Sequence, residues 1–140
     1  MIVLDTNVIS ELMRAKPDAA VMAWFGEQPI AGVFTTTLTQ AEIFYGLALL
    51  PEGRRRDQLI AAARPIFEID LAGRVLPFDT DAADAYPAIA ASRRHGGRPI
   101  SQIDAQIAAI VRSRGARLAT RNVADFADCG IAVVDPWMGR

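Results

Sequence analysis

Cysteine and histidine are almost missing from this chain of 140 residues, which has one of each, Cys129 and His95. A lone thiol closes no internal disulfide, and one thiol with one imidazole cannot make a structural zinc cluster. Lysine is nearly missing too. Of the 15 basic residues only Lys16 is lysine, and the rest are arginine, the side chain better suited to bidentate contact with phosphate or carboxylate. The chain lacks an excess of either charge, since 16 acidic residues bring the formal net charge to −1. No overall positive field advertises a nucleic-acid partner, which weighs against one without excluding it. There is no uncharged apolar stretch of membrane-spanning length, and Met1 runs directly into Ile2-Val3-Leu4 with no basic region or small-residue cleavage site. The expectation is a soluble, unexported protein of the reducing cytoplasm with no membrane contact.

What is present is 51% apolar residues, enough for one compact domain over residues 1–140 with a real core. Short β-rich runs at 2–4, 33–37, 75–78, 118–120 and 131–134 alternate with helical patterns at 6–13, 18–25, 39–50, 56–66, 80–94 and 101–114. Such alternation is the signature of βαβ units around a parallel sheet, and so of an α/β fold. The cleanest helix carries Ile103, Ile107, Ile110 and Val111 on one side and stops at Gly115. Pro87 is expected to kink or divide the helical stretch around it, and Gly96-Gly97 to open a loop.

Four carboxylates, Asp5, Glu42, Asp104 and Asp125, each sit where a strand or turn meets a helix. In an open parallel sheet those junctions converge on the carboxyl edge, where ligands bind. Each acid also has a purely structural explanation. Asp5 follows the first strand and can cap the first helix. Thr39-x-x-Glu42 and Ser101-x-x-Asp104 match the capping box, and Asn122-x-x-Asp125 is a version of it with Asn as cap. Capping accounts for each residue singly but not for their convergence. Ionised acids on one edge repel unless a cation lies between them, and an all-oxygen donor set suits Mg²⁺ or Mn²⁺ rather than zinc. Phosphodiester hydrolysis is the chemistry that follows from such a site, with Thr6, Asn7, Thr120 and Asn122 as the polar neighbours that orient it.

Taken together, Asp5-Thr6-Asn7, Thr39-x-x-Glu42, Asp104-Ala105-x-Ile107-Ala108, Thr120-Arg121-Asn122-x-x-Asp125-Phe126 and Val134-Asp135-Pro136-Trp137 resemble a PIN-domain ribonuclease, in the VapC/FitB branch of toxins from type II toxin–antitoxin pairs. The resemblance implies a three-layer α/β/α domain with a central, mainly parallel sheet and a Mg²⁺- or Mn²⁺-dependent endoribonuclease acting on RNA. It also implies a homodimer and neutralisation by a cognate DNA-binding antitoxin. By that resemblance Asp5, Glu42 and Asp104 hold metal. Asp125 either completes the site or only caps its helix while Asn122 lies nearer the metal.

Arg93, Arg94 and Arg98, around Gly96-Gly97, are expected on a flexible loop before the Asp104 helix, within reach of substrate phosphates. Arg54-Arg55-Arg56 reads as a solvated face, and His95 as a surface residue. Trp24, Phe25, Phe44, Tyr45, Leu49 and Trp137 read as core or interface. Two other functions stay open: a phosphatase with Asp5 as nucleophile, and a non-catalytic PIN-like binding module whose acids are only caps.

Overall fold

The computed structural model describes residues 1–139. The five apolar runs form β1 (Ile2–Leu4), β2 (Val33–Thr36), β3 (Val75–Leu76), β4 (Arg117–Ala119) and β5 (Ala132–Val134). Every neighbouring pair is parallel, in the order β3-β2-β1-β4-β5. Between them run α1 (Thr6–Leu12), α2 (Ala19–Gly26), α3 (Thr37–Ala48), α4 (Arg54–Pro65), α5 (Thr80–His95) and α6 (Gln102–Ser113). None of these helices is long and apolar enough to cross a membrane.

Alternation along the strands distributes the chain into three layers. Val3 and Leu118 join the core built with Ile89 of α5 and Ile107, Ile110 and Val111 of α6. Ile2, Leu4, Val33 and Ala119 point the other way, to Val8, Ile9, Trp24, Ile43 and Phe67 from the α1–α4 side. A parallel sheet covered on both faces needs strands apolar at nearly every position, and β1 is buried at all three of its residues. Each fully buried Ile or Leu contributes about 1.5–3 kcal/mol, so these two clusters dominate the stability of the sheet.

From β1 the chain moves through β2 to β3 on one side, then crosses back to β4 on the other. The carboxyl ends of β1 and β4 therefore lie side by side with their connections leaving in opposite directions, the arrangement that opens a crevice in α/β sheets. Thr35, fully buried, donates its hydroxyl to the Leu4 carbonyl at 2.8 Å and ties β2 to the end of β1.

Two local readings are settled. Of the two outcomes expected at Pro87, a kink or a division, division does not occur: α5 runs unbroken from Thr80 to His95. Both Pro87 and Ala83, whose carbonyl loses its i+4 donor, are on the exposed face, where water can hydrate that carbonyl and a gentle bend is tolerated. Pro87→Ala should accordingly raise thermal stability by about 1–2 kcal/mol, read as a higher melting temperature; an unchanged one would mean the bend itself is needed for packing. The second is a correction to α3, which begins at Thr37 rather than Thr39, with Thr36 as its cap accepting from the Thr39 N–H at 3.0 Å.

Candidate functional site

Asp5 leaves β1 with its backbone N–H donating to the Ala119 carbonyl at 2.9 Å, so it stands on the seam between β1 and β4. As expected it caps α1, through Oδ1, which accepts from Thr6 N at 2.8 Å. Its second oxygen has another purpose. Oδ2 accepts from the Thr120 hydroxyl at 2.8 Å and lies 3.5 Å from Asn7 Nδ2. Thr120 in turn accepts from Asn7 Nδ2 at 3.2 Å and from the Asn122 N–H at 3.1 Å, while Asn7 Oδ1 accepts the Arg121 N–H at 3.1 Å. The network welds the end of β4 to the start of α1 and fixes one carboxylate at their junction. Burial is the main reason that Asp5 is pushed up from 3.8 to about 6; the Thr120 and Thr6 hydrogen bonds oppose it, and the negative charges of Asp104 and Glu42 add to it.

Glu42 does not take part in a capping box. With the helix starting at Thr37, it lies in the second turn of α3, half-buried, and Thr36 does the capping. Its Oε1 accepts from the Thr6 hydroxyl at 2.8 Å. Thr6 has one hydroxyl proton and the carboxylate is the stronger acceptor, so the 3.1 Å contact between Thr6 and the buried Thr39 hydroxyl takes its proton from Thr39. Asp104 is in the first turn of α6, where Ser101 caps as expected and accepts from the Asp104 N–H at 3.2 Å. Among the described residues no protein donor reaches Oε2 of Glu42, and the Ser101 hydroxyl lies against the Asp104 carboxylate as a side-chain hydrogen-bond partner. Asp104 is pushed up from 3.8, first by desolvation and further by the charges of Asp125 and Glu42, with Ser101 and Arg93 opposing.

Asp5, Glu42 and Asp104 thus come from three separate elements to line one open cleft of about 540 Å³, together with Thr6, Asn7 and Asn122. Asp125 is not in its wall. It lies exposed in the short 3-10 turn Val123–Phe126, which Asn122 precedes without capping by its side chain. Of the two alternatives at this corner, Asn122 faces the cleft and Asp125 reaches it only through its charge. The acids face one another across open space: among the described residues no three acidic, histidine or cysteine side chains are drawn tightly enough to grip one ion as they stand. The donor set still fits a hard cation, because every group lining the cleft from these three acids is oxygen and several lone pairs are unclaimed.

The arginines are placed differently from the expectation. Arg93 and Arg94 belong to the last turn of α5, and Arg93 is buried, only 7% exposed. Its Nε donates to the Arg98 carbonyl at 2.8 Å, and one terminal nitrogen donates to the carbonyls of Asp125 at 2.7 Å and Ala127 at 3.0 Å. It is a latch between two loops and is not free to meet a phosphate. Arg94 and Arg98 are exposed, and Arg98 pairs with Asp128. Of the residues read as core or interface, Tyr45 and Leu49 are each 67% exposed on α3 and so are not core, whereas Trp24 is buried and Phe44 packs on Phe67.

Sequence reasoning missed Ser10, Glu11, Arg14 and Arg121 in the cleft wall. The signal was available: Asn7, Ser10, Glu11 and Arg14 recur at i, i+3, i+4 and i+7, a helical stripe that is polar instead of apolar. Glu11 is 7% exposed and accepts from the Asp18 N–H at 2.9 Å and from Arg14.

Comparison with known proteins agrees with this geometry. The PIN domain family matches residues 2–130. The chain is 43% identical to the VapC ribonuclease Y4jK of Sinorhizobium fredii, with 98% of each chain covered. It is 36% identical to toxin FitB of Neisseria gonorrhoeae over 98% of this chain and 99% of that one. Its backbone superposes with a TM-score of 0.91 on a structure of FitAB bound to an IR36 DNA fragment (36% identity, 98% and 96% covered). With DNA-bound VapBC from Salmonella typhimurium the TM-score is 0.79 (25% identity, 96% and 97% covered). Three layers around a five-stranded parallel sheet, acids gathered at its switch point and relatives matched along nearly their whole length lead to one assignment: the chain belongs to the PIN-domain family, in the branch of the VapC and FitB toxins.

Proposed function

We propose that this protein is the toxin of a type II toxin–antitoxin pair, a cytoplasmic endoribonuclease that hydrolyses RNA phosphodiester bonds with Mg²⁺ or Mn²⁺ held by Asp5, Glu42 and Asp104. The observation that carries the reading is that these carboxylates arrive from the ends of β1, of β2 through α3, and of the α5–α6 connection, and line one cleft. When bound, a divalent ion supplies charge neutralisation at the phosphate and activation of the attacking water. The chain's own residues do the rest. Thr120 and Asn7 fix the Asp5 carboxylate, Thr6 fixes Glu42, and Ser101 steadies Asp104 at the start of α6. Asp125 adds negative charge behind Asp104. A cognate DNA-binding antitoxin is the partner this kinship supports, since relatives of known structure were seen as FitAB and VapBC complexes with DNA, and the homodimer implied by the family resemblance belongs to the same proposal.

The other two readings lose support here. A phosphatase using Asp5 wants a second acid two residues on, but Asn7 stands there with its amide engaged by Thr120 and the Arg121 N–H. A module that kept its acids only as caps has no use for Glu42, which caps nothing. The test is incubation of the purified protein with a mixed pool of structured RNAs and Mg²⁺ or Mn²⁺, beside an EDTA arm. Cleavage that EDTA abolishes, with a rise in melting temperature on adding the ion, is the expected result. A folded protein whose melting temperature rises with the ion but which cuts nothing would favour the binding module.

A further inference from the structure

We propose that Arg121, held on the ring of Trp137, binds a phosphate of the RNA strand in the acidic cleft; the inference rests on the nuclease reading above. Two cations line that cleft, Arg14 and Arg121. Arg14 is neutralised locally, with a terminal nitrogen 3.2 Å from Glu11 Oε2. Arg121 enters none of the ion pairs among the described residues. Its guanidinium carbon lies 4.9 Å from the centroid of the Trp137 ring.

The Arg121 guanidinium makes no hydrogen bond or ion pair among the described residues, so its donors are free to form the fork that matches two phosphate oxygens. The side chain is not needed for the fold, since Arg121 does its structural work through its backbone N–H on Asn7. Trp137 is anchored independently: its N–H donates to Asp135 Oδ1 at 2.9 Å and its ring packs against the core on the α1–α4 side. The platform therefore exists before any ligand arrives, which spares much of the ordering cost of a flexible arginine. Position supplies the rest of the argument. Arg121 directly follows Thr120, the residue that holds Asp5, so a phosphate bound there is delivered next to the acids that would otherwise repel it.

The test uses the full chain carrying Asp5→Asn and Asp104→Asn, which removes cleavage and most of the repulsion. Binding of a short fluorescein-labelled single-stranded RNA of mixed sequence is measured by anisotropy across a NaCl series. Arg121→Ala in that background should weaken binding about tenfold and lower the slope of log Kd against log salt by about 0.7, the signature of one lost single-strand phosphate contact. Arg121→Lys and Trp137→Leu should both weaken binding while keeping the slope, because the charge stays and only its fork or its platform is lost. An unchanged Kd and slope in Arg121→Ala would overturn the proposal. The nuclease reading fails separately: a parent chain that cuts no RNA but binds it with an Arg121-dependent slope sinks the enzyme and leaves the phosphate contact standing.

Discussion

Asp5→Asn protein without divalent cation should melt several degrees above the parent at neutral pH, yet with Mg²⁺ or Mn²⁺ present it should cleave RNA at least about a hundredfold more slowly. Asp5 is 5% exposed, and burial raises its carboxyl to about 6 in the folded chain from an ordinary 3.8. A carboxyl raised on folding contributes stability that is fully present below the unfolded value and is lost as pH climbs through the folded one. In the metal-free protein the loss thus falls between about pH 4 and pH 6 and reaches about 3 kcal/mol. Asparagine carries no charge and escapes it. Its amide, however, would turn N–H groups toward Thr120 Oγ1, which already accepts from Asn7 and Asn122, so the net gain should be about 1–2 kcal/mol. Melting curves from pH 4 to pH 8 check the idea, because the advantage of the variant should vanish at the acid end and shrink when Mn²⁺ is added to the parent. A variant less stable than the parent at every pH would show that Asp5 is held for the fold and not against it.

Arg93→Ala should cost about 3 kcal/mol or more, a fall in melting temperature on the order of 10 °C. Its guanidinium is the donor for carbonyls of Arg98, Asp125 and Ala127, and each acceptor left without a partner costs about 1–3 kcal/mol where water cannot replace it. The void left by the side chain adds to this. Arg93→Lys should recover only part of the loss, since an ammonium lacks the planar fork that reaches both loops. A second readout is chemical. Cys129, 1% exposed, has its thiol pushed up by burial and lies 3.7 Å from Arg93; it should react with a thiol reagent far faster in the alanine variant. A melting temperature within a degree of the parent's, with Cys129 still protected, would rule out the latch.

The strands were legible because Ile2-Val3-Leu4 and the other runs combine β-branched residues with burial on both faces, a composition few other elements share. The convergence of Asp5 and Glu42 follows from the strands, since β1 and β2 are parallel neighbours whose carboxyl ends lie side by side, whereas Asp104 is carried to the same edge by α6, which follows α5 with no strand between them. Glu42 as a cap was misread because Thr35-Thr36-Thr37 and Thr39 offer several hydroxyls, and only backbone conformation decides which one caps: Thr36 is extended at φ −123° and ψ 158°. Arg93 was misread because two of its three carbonyl acceptors, on Asp125 and Ala127, lie more than thirty residues downstream, a distance at which local pattern carries no information. Whether Pro87 would kink or divide its helix was not legible because the cost of a proline depends on which face it occupies, and here that face is open to water.

The placement of β1 has a kinetic consequence. It precedes the other four strands in sequence and is the middle strand of the sheet, flanked by β2 and by β4. The bond that seats Asp5 comes from Thr120, 115 residues later. Contacts this distant in sequence close late and slow the search for the native state. A nascent chain that has made the first two strands and α1–α4 still has no complete cleft, because Asp104, Arg121 and Asn122 in its wall come later in the chain. The activity proposed for this protein would switch on only after β4 and the residues that follow it have been made, an interval during which a partner translated alongside it can already be waiting.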